Sequence, residues 1–125
     1  MKKITGLGGV FIKATNPKTL AAWYQDVLGI EFNNGTYVSF SFTDEEEKIT
    51  PGSNVLSFVK ADSTYFIPSE KPTMLNLRVS DLFSLLEELK TRDVTIVGDP
   101  INESYGKFGW ILDPEGNKIE LWEPS

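Results

Sequence analysis

The chain has 125 residues, 40% of them hydrophobic and 24% charged, with a net charge of −6. That is the size and composition of one globular domain, spanning 1-125, able to bury roughly two-thirds of the surface its unfolded form exposes. It has no cysteine and no histidine, which excludes disulfides, thiolate or imidazole metal sites and His-based triads. The acidic balance, with scattered Lys and Arg, argues against nucleic-acid or anionic-membrane partners.

The opening MKKITGLGGVFIKA has lysines before an apolar run. The run is short, is interrupted by Lys13 and lacks a small-x-small cleavage site, so it reads as a strand, not a signal peptide. Nothing approaches the roughly 20 apolar residues of a membrane span, and a cytoplasmic location is expected. Val10, Ile12 and Ala14 alternate with Phe11 and Lys13 as in a half-buried strand. Asn16-Pro17 supplies an N-cap and an N1 proline. Leu20, Trp23, Tyr24, Val27 and Leu28 follow at helical spacing, and Gly29 stands at the C-cap position. At least one of Trp23 and Tyr24 belongs to the core on this pattern.

A short strand is expected at 30–32, then a turn at Asn34-Gly35 and a strand from Tyr37 to Thr43. The acidic run after it reads as a solvated hairpin tip, and 54–61 as a fourth strand. Residues 62-72, DSTYFIPSEKP, form a turn-rich linker between a first module (4-61) and a second (73-123).

The order then repeats at an offset of 65 residues, with Leu75, Leu77 and Val79 matching Val10, Ile12 and Ala14. Ser80 or Asp81 caps a helix carrying Leu82, Leu85, Leu86 and Leu89 at i, i+3, i+4 and i+7. A strand is expected at 94–97. A closing hairpin pairs 107–112 with 118–123 about Asp113-Pro114-Glu115-Gly116-Asn117. The fold class is therefore α+β, two βαβββ modules.

Three stretches, NPKTLAAWYQDVLGIEF, LNLRVSDLFSLLEELKTRDVTI and FGWILDPEGNKIELWEP, resemble the vicinal oxygen chelate superfamily, also called the glyoxalase/bleomycin-resistance family. The resemblance implies a curved mixed sheet cupping a binding cavity, commonly in a homodimer. It also implies four metal-ligand positions, which map here to Gly9, Ser57, Met74 and Glu120. Glu120 alone among them is a competent ligand, and a catalytic site needs about three. Metal is therefore expected to be absent, and with it the superfamily's metal-dependent chemistries.

Period-2 logic puts Gly9, Phe11 and Lys13, then Met74, Asn76 and Arg78, on the face opposite the helices. Glu120 and Trp122 join them, with Lys118 on the same side. The candidate ligand-binding set is Phe11, Lys13, Ser57, Asn76, Arg78, Trp110, Glu120 and Trp122. Within it, Glu120 is expected to be solvated or paired with Arg78 or Lys13, and Tyr65, Phe66 and Tyr105 are lid candidates.

The expected function is metal-independent binding of a small apolar or aromatic ligand with a polar or anionic group. One alternative is a lyase or isomerase using Glu120 as general base, with or without a weakly held metal. The other is a partner protein whose cup is filled by its own side chains.

Overall fold

A computed structural model describes residues 3–32 and 35–125. Nine elements follow in chain order: β1 (Ile4–Ala14), α1 (Pro17–Leu28), β2 (Tyr37–Thr43), β3 (Ile49–Lys60), β4 (Thr73–Val79), α2 (Leu82–Thr91), β5 (Ile101–Glu103), β6 (Gly106–Leu112) and β7 (Lys118–Pro124). The strands form one mixed sheet in the order β2-β3-β1-β4-β7-β6-β5. No helix among the described residues is long and apolar enough to cross a membrane.

The modules meet where β1 runs antiparallel to β4, with Val10 opposite Leu75. These are the two residues that the repeat makes equivalent, so an internal two-fold passes through their pair. The neighbouring pairs obey it: Phe11 faces Met74, and Gly9 faces Asn76. Outward from the dyad, Phe11 lies beside Ser57 of β3, and Asn76 beside Glu120 of β7, both in parallel register. Ser57 and Glu120 are thus symmetry mates.

Both helices are capped as their sequences require. Asn16 accepts from the Thr19 N–H at 3.1 Å, and Asp81 accepts from the Ser84 N–H at 3.2 Å. Gly29 ends α1 in the left-handed region, at φ 71°. Glu123 adds a second acceptor for α2, taking the Leu82 N–H at 2.8 Å. Burial follows the apolar stripes. Ala21 of α1 packs with Ala14 and Phe58, and Tyr24 lies against the Phe58 ring. Leu82, Leu85 and Leu86 of α2 pack with Val79 and Leu121. A third cluster, Phe66, Met74 and Trp110 with Phe11, Val59 and Phe108 beside it, lies on the other face.

Three expectations need correction. Residues 29–32 form no strand, and Phe32 instead tilts against Phe58 in the α1 core; Asn34 of the expected turn lies outside the described residues. The segment 94–97 contributes only a bridge between Ile96 and Ile111. Gly98 at φ 70° and Pro100 interrupt it, and pairing with β6 resumes at Ile101. The fourth strand starts five residues early, at Ile49, because Asp44 accepts from the N–H groups of Glu46 and Lys48 and tightens the hairpin tip. Of the helix aromatics, Tyr24 is core and Trp23 is 53% exposed.

Leu82 is fully buried at the centre of the α2 cluster. Leu82→Ala is expected to lower unfolding free energy by about 2–5 kcal/mol through lost transfer energy and a residual cavity, read as a reduced urea midpoint at unchanged slope.

Candidate functional site

Parallel and antiparallel registers place side chains of β4, β7 and β6 side by side on the face away from the helices. Asn76, Glu120 and Trp110 form one row; two residues along, Arg78, Trp122 and Phe108 form a second. The first row is built around a carboxylate, the second around a guanidinium and two aromatic rings.

Glu120 is 2% exposed. Its partners are neutral donors. Asn76 Nδ2 donates to Oε2 at 2.6 Å and Trp110 Nε1 to Oε1 at 3.0 Å, and the Tyr65 hydroxyl donates to the same Oε1. Hydrogen bonds to a charged acceptor are among the strong ones, and a buried carboxylate needs them. The expected pairing with Arg78 or Lys13 does not form: Lys13 lies over the Phe66 ring and Arg78 over the Phe42 ring. Both cations turn away from the carboxylate, which is left to Asn76 and Trp110 on the neighbouring strands and to Tyr65 of the linker.

Tyr65 and Lys118 complete the first row, and neither was among the candidate ligand-binding residues. Lys118 is buried, donates to the Tyr65 carbonyl at 2.6 Å and lies over the Tyr65 and Trp110 rings. Burial pushes its ammonium below the ordinary lysine value, with the Glu120 charge pulling the other way. Burial, and then the Glu120 charge beside it, hold the Tyr65 phenol above its ordinary value. The signal for Lys118 was its alternation with Glu120 and Trp122; Tyr65 belongs to the linker, and no strand period predicts its aim.

Arg78 reaches in the other direction. Its guanidinium stacks 4.6 Å from the Phe42 centroid. A Cβ built on Gly6 would come within 3.0 Å of one terminal nitrogen, and one on Gly52 within 2.9 Å of the other. The side chain therefore crosses β1 over a glycine and ends above β3. Gly8, at the bulge in β1, plays the same part for Asn76, whose Oδ1 would stand 2.0 Å from a Cβ there. The GLGG run is the clearance that two long β4 side chains require.

Among the described residues, four side-chain polar atoms are buried without a partner: Asn54 Oδ1, Asn76 Oδ1, Arg78 Nε and Trp122 Nε1. Three of them belong to the two rows. Trp122 itself stacks on Phe108, at 6.3 Å and 2°. Of the lid candidates, Phe66 is fully buried and Tyr65 half-covers the first row, whereas Tyr105 is 65% exposed beside Phe108. Ser57 of β3, beside Phe11, also lines, with Thr15, Lys18, Thr36 and Lys60, a 670 Å³ cavity at the start of α1. That cavity and three others, of 280 to 410 Å³, have no lining residue from either row.

The residues at the superfamily's metal positions do not suit a divalent ion. A Cβ on Gly9 would lie 2.2 Å from the Val55 carbonyl oxygen. Met74 is 1% exposed in an apolar cluster, and both Glu120 oxygens are taken. Among the described residues no group of three His, Cys, Asp or Glu could hold a metal ion.

A model of the glyoxalase-like domain matches residues 9–122. The chain belongs to the glyoxalase-like family. Its fold is that of the vicinal oxygen chelate superfamily. Methylmalonyl-CoA epimerase from Mycobacterium tuberculosis is similar with a TM-score of 0.66 and 20% identity, over 100% of this chain and 91% of that one. The Streptomyces coelicolor epimerase, in complex with 2-nitronate-propionyl-CoA, gives 0.68 and 13%, over 98% and 99%. A glyoxalase/bleomycin resistance protein/dioxygenase superfamily member from Vibrio splendidus gives 0.58 and 15%, over 94% and 98%. At these identities the likeness carries the fold alone. No curated protein matches the chain.

Two outcomes follow from the first row of this glyoxalase-like chain. Glutamine at position 120 offers one acceptor oxygen where the carboxylate offers two and turns an NH₂ toward a donor, so Glu120→Gln is expected to cost about 1–3 kcal/mol of stability by denaturant unfolding. The raised Tyr65 value means the folded state favours the protonated phenol. Its contribution is full below the ordinary tyrosine value of 10.0 and is lost as pH rises through the raised one. An ultraviolet titration should show a late-ionising phase that is missing from Tyr65→Phe.

Proposed function

We propose that the concave face binds a small apolar or aromatic molecule carrying a polar or anionic group, without a metal, and that Arg78 receives the anionic end. One observation carries this reading. Arg78 is a half-buried cation in an acidic chain, pairs with no carboxylate among the described residues, and keeps a buried Nε without a partner. Buried charges are ordinarily paired. A bound anion would balance the charge of the guanidinium, which the Phe42 face and the glycine clearance hold in place.

The walls fit the rest of such a ligand: Trp122, Phe108 and Phe11 present aromatic rings. The epimerase relative in complex with 2-nitronate-propionyl-CoA supports reading this fold as a small-molecule receptor. Metal independence is supported by the poor donor set. The enzymatic alternative, with Glu120 as base, asks a carboxylate already holding three hydrogen bonds to release one. Leu7 and Leu75, about half exposed where the modules join, support a homodimer.

Titration calorimetry with a panel of aryl carboxylates (benzoate, phenylacetate, indole-3-acetate) is the test. At least one is expected to bind with unchanged affinity after dialysis against EDTA, and Arg78→Met is expected to weaken it by about tenfold or more, about 1.4 kcal/mol. Affinity that vanishes with EDTA, or that survives Arg78→Met intact, overturns the reading.

A further inference from the structure

We infer that the Glu120 end of the concave face is a subsite for a phenolic ring, and that Tyr65 fills it as a resident occupant which an incoming ligand displaces. The inference rests on the reading of this face as a small-molecule site and names the chemistry of one end of its ligand.

The subsite and its occupant come from different parts of the fold. Phe11 of β1, Asn76 of β4, Trp110 of β6, and Lys118 and Glu120 of β7 are all held in one hydrogen-bonded sheet. Tyr65 comes from the linker between modules, and 40% of it remains exposed. Its hydroxyl donates to Glu120 Oε1. Its ring lies 6.0 Å from Phe11 at 29° and 6.2 Å from Trp110 edge-on at 89°, with Lys118 Nζ 5.3 Å from its centroid. A carboxylate for the hydroxyl, two aromatic walls and a cation over the face together recognise a phenol. An anionic group at the same place would meet the Glu120 charge, so the acceptor selects for an O–H donor.

The anchoring of the linker permits exchange. Phe66, the next residue, is fully buried against Met74 and Trp110. Tyr65 itself is tied by Lys118 to its carbonyl and by its N–H to Ser63 Oγ at 3.2 Å, both backbone contacts. Rotation of the side chain into solvent therefore empties the subsite while Phe66 keeps the linker in place. The second row begins two residues along each strand, about 7 Å away. A hydroxyaryl acid would place its phenol at Glu120 and direct its acidic group toward the Arg78 side of the face.

The test uses p-cresol, the side chain of tyrosine as a free molecule, with toluene as the ring lacking the hydroxyl. By calorimetry, p-cresol is expected to bind Tyr65→Ala at least about tenfold tighter than wild type, and toluene to bind the variant at least about tenfold more weakly than p-cresol. Equal p-cresol affinity for variant and wild type, or toluene matching p-cresol, overturns the inference. Should Tyr65→Ala be unfolded by itself, it is refolded in p-cresol and in toluene. Recovery in p-cresol alone supports the subsite, and recovery in both or neither overturns it. Aryl acids that bind wild type through Arg78 while Tyr65→Ala ignores p-cresol would leave the proposed function standing and remove only the phenol subsite.

Discussion

Val10 of β1 lies opposite Leu75 of β4, and that pair fixes how the strand residues of the two modules share the sheet. It joins the two modules in one sheet and sets the internal two-fold. Because side chains alternate strictly along a strand, a shift of one residue in either strand would turn its whole row to the other face. The register instead puts Asn76 beside Glu120 and Arg78 beside Trp122. The helices cover one face with leucine and alanine, which leaves the opposite face to carry the polar groups.

That face handles Glu120 and Arg78 differently. Glu120 is removed from water, a step that costs several kcal/mol for an ion, and three neutral donors offset it. Its environment is complete with Tyr65 in place. Arg78 has an aromatic face beneath it and glycines beside it, and no carboxylate among the described residues pairs with it. A satisfied acid and an unsatisfied base on adjacent rows make the surface electrically lopsided, and this asymmetry gives a ligand an orientation.

The internal symmetry also shows where the modules have diverged. Phe11 and Ser57 occupy in the first module the positions of Asn76 and Glu120 in the second. An aromatic ring and a hydroxyl thus stand where the other half holds an amide and a carboxylate. At these positions the first module supplies a ring and the glycine clearance, and the second supplies the carboxylate.

Much of this was legible in the residues themselves. Helical stripes, the caps at Asn16 and Asp81, the closing hairpin and the choice of face all follow from local periodicity and capping chemistry, which depend on neighbours a few residues away. The strands expected at 30–32 and 94–97 were misplaced because short apolar segments take whatever partner tertiary packing offers, here Phe58 for Phe32 and a single bridge for Ile96. The partners of Glu120 could not be read from spacing, since Tyr65 lies 55 residues away in a linker with no period. Sequence alone determined which strand residues alternate onto the concave face; only the tertiary structure decided which of them touch and which linker residue joins them, because hydrogen bonds reach about 3 Å and that distance is set by strand register and linker path.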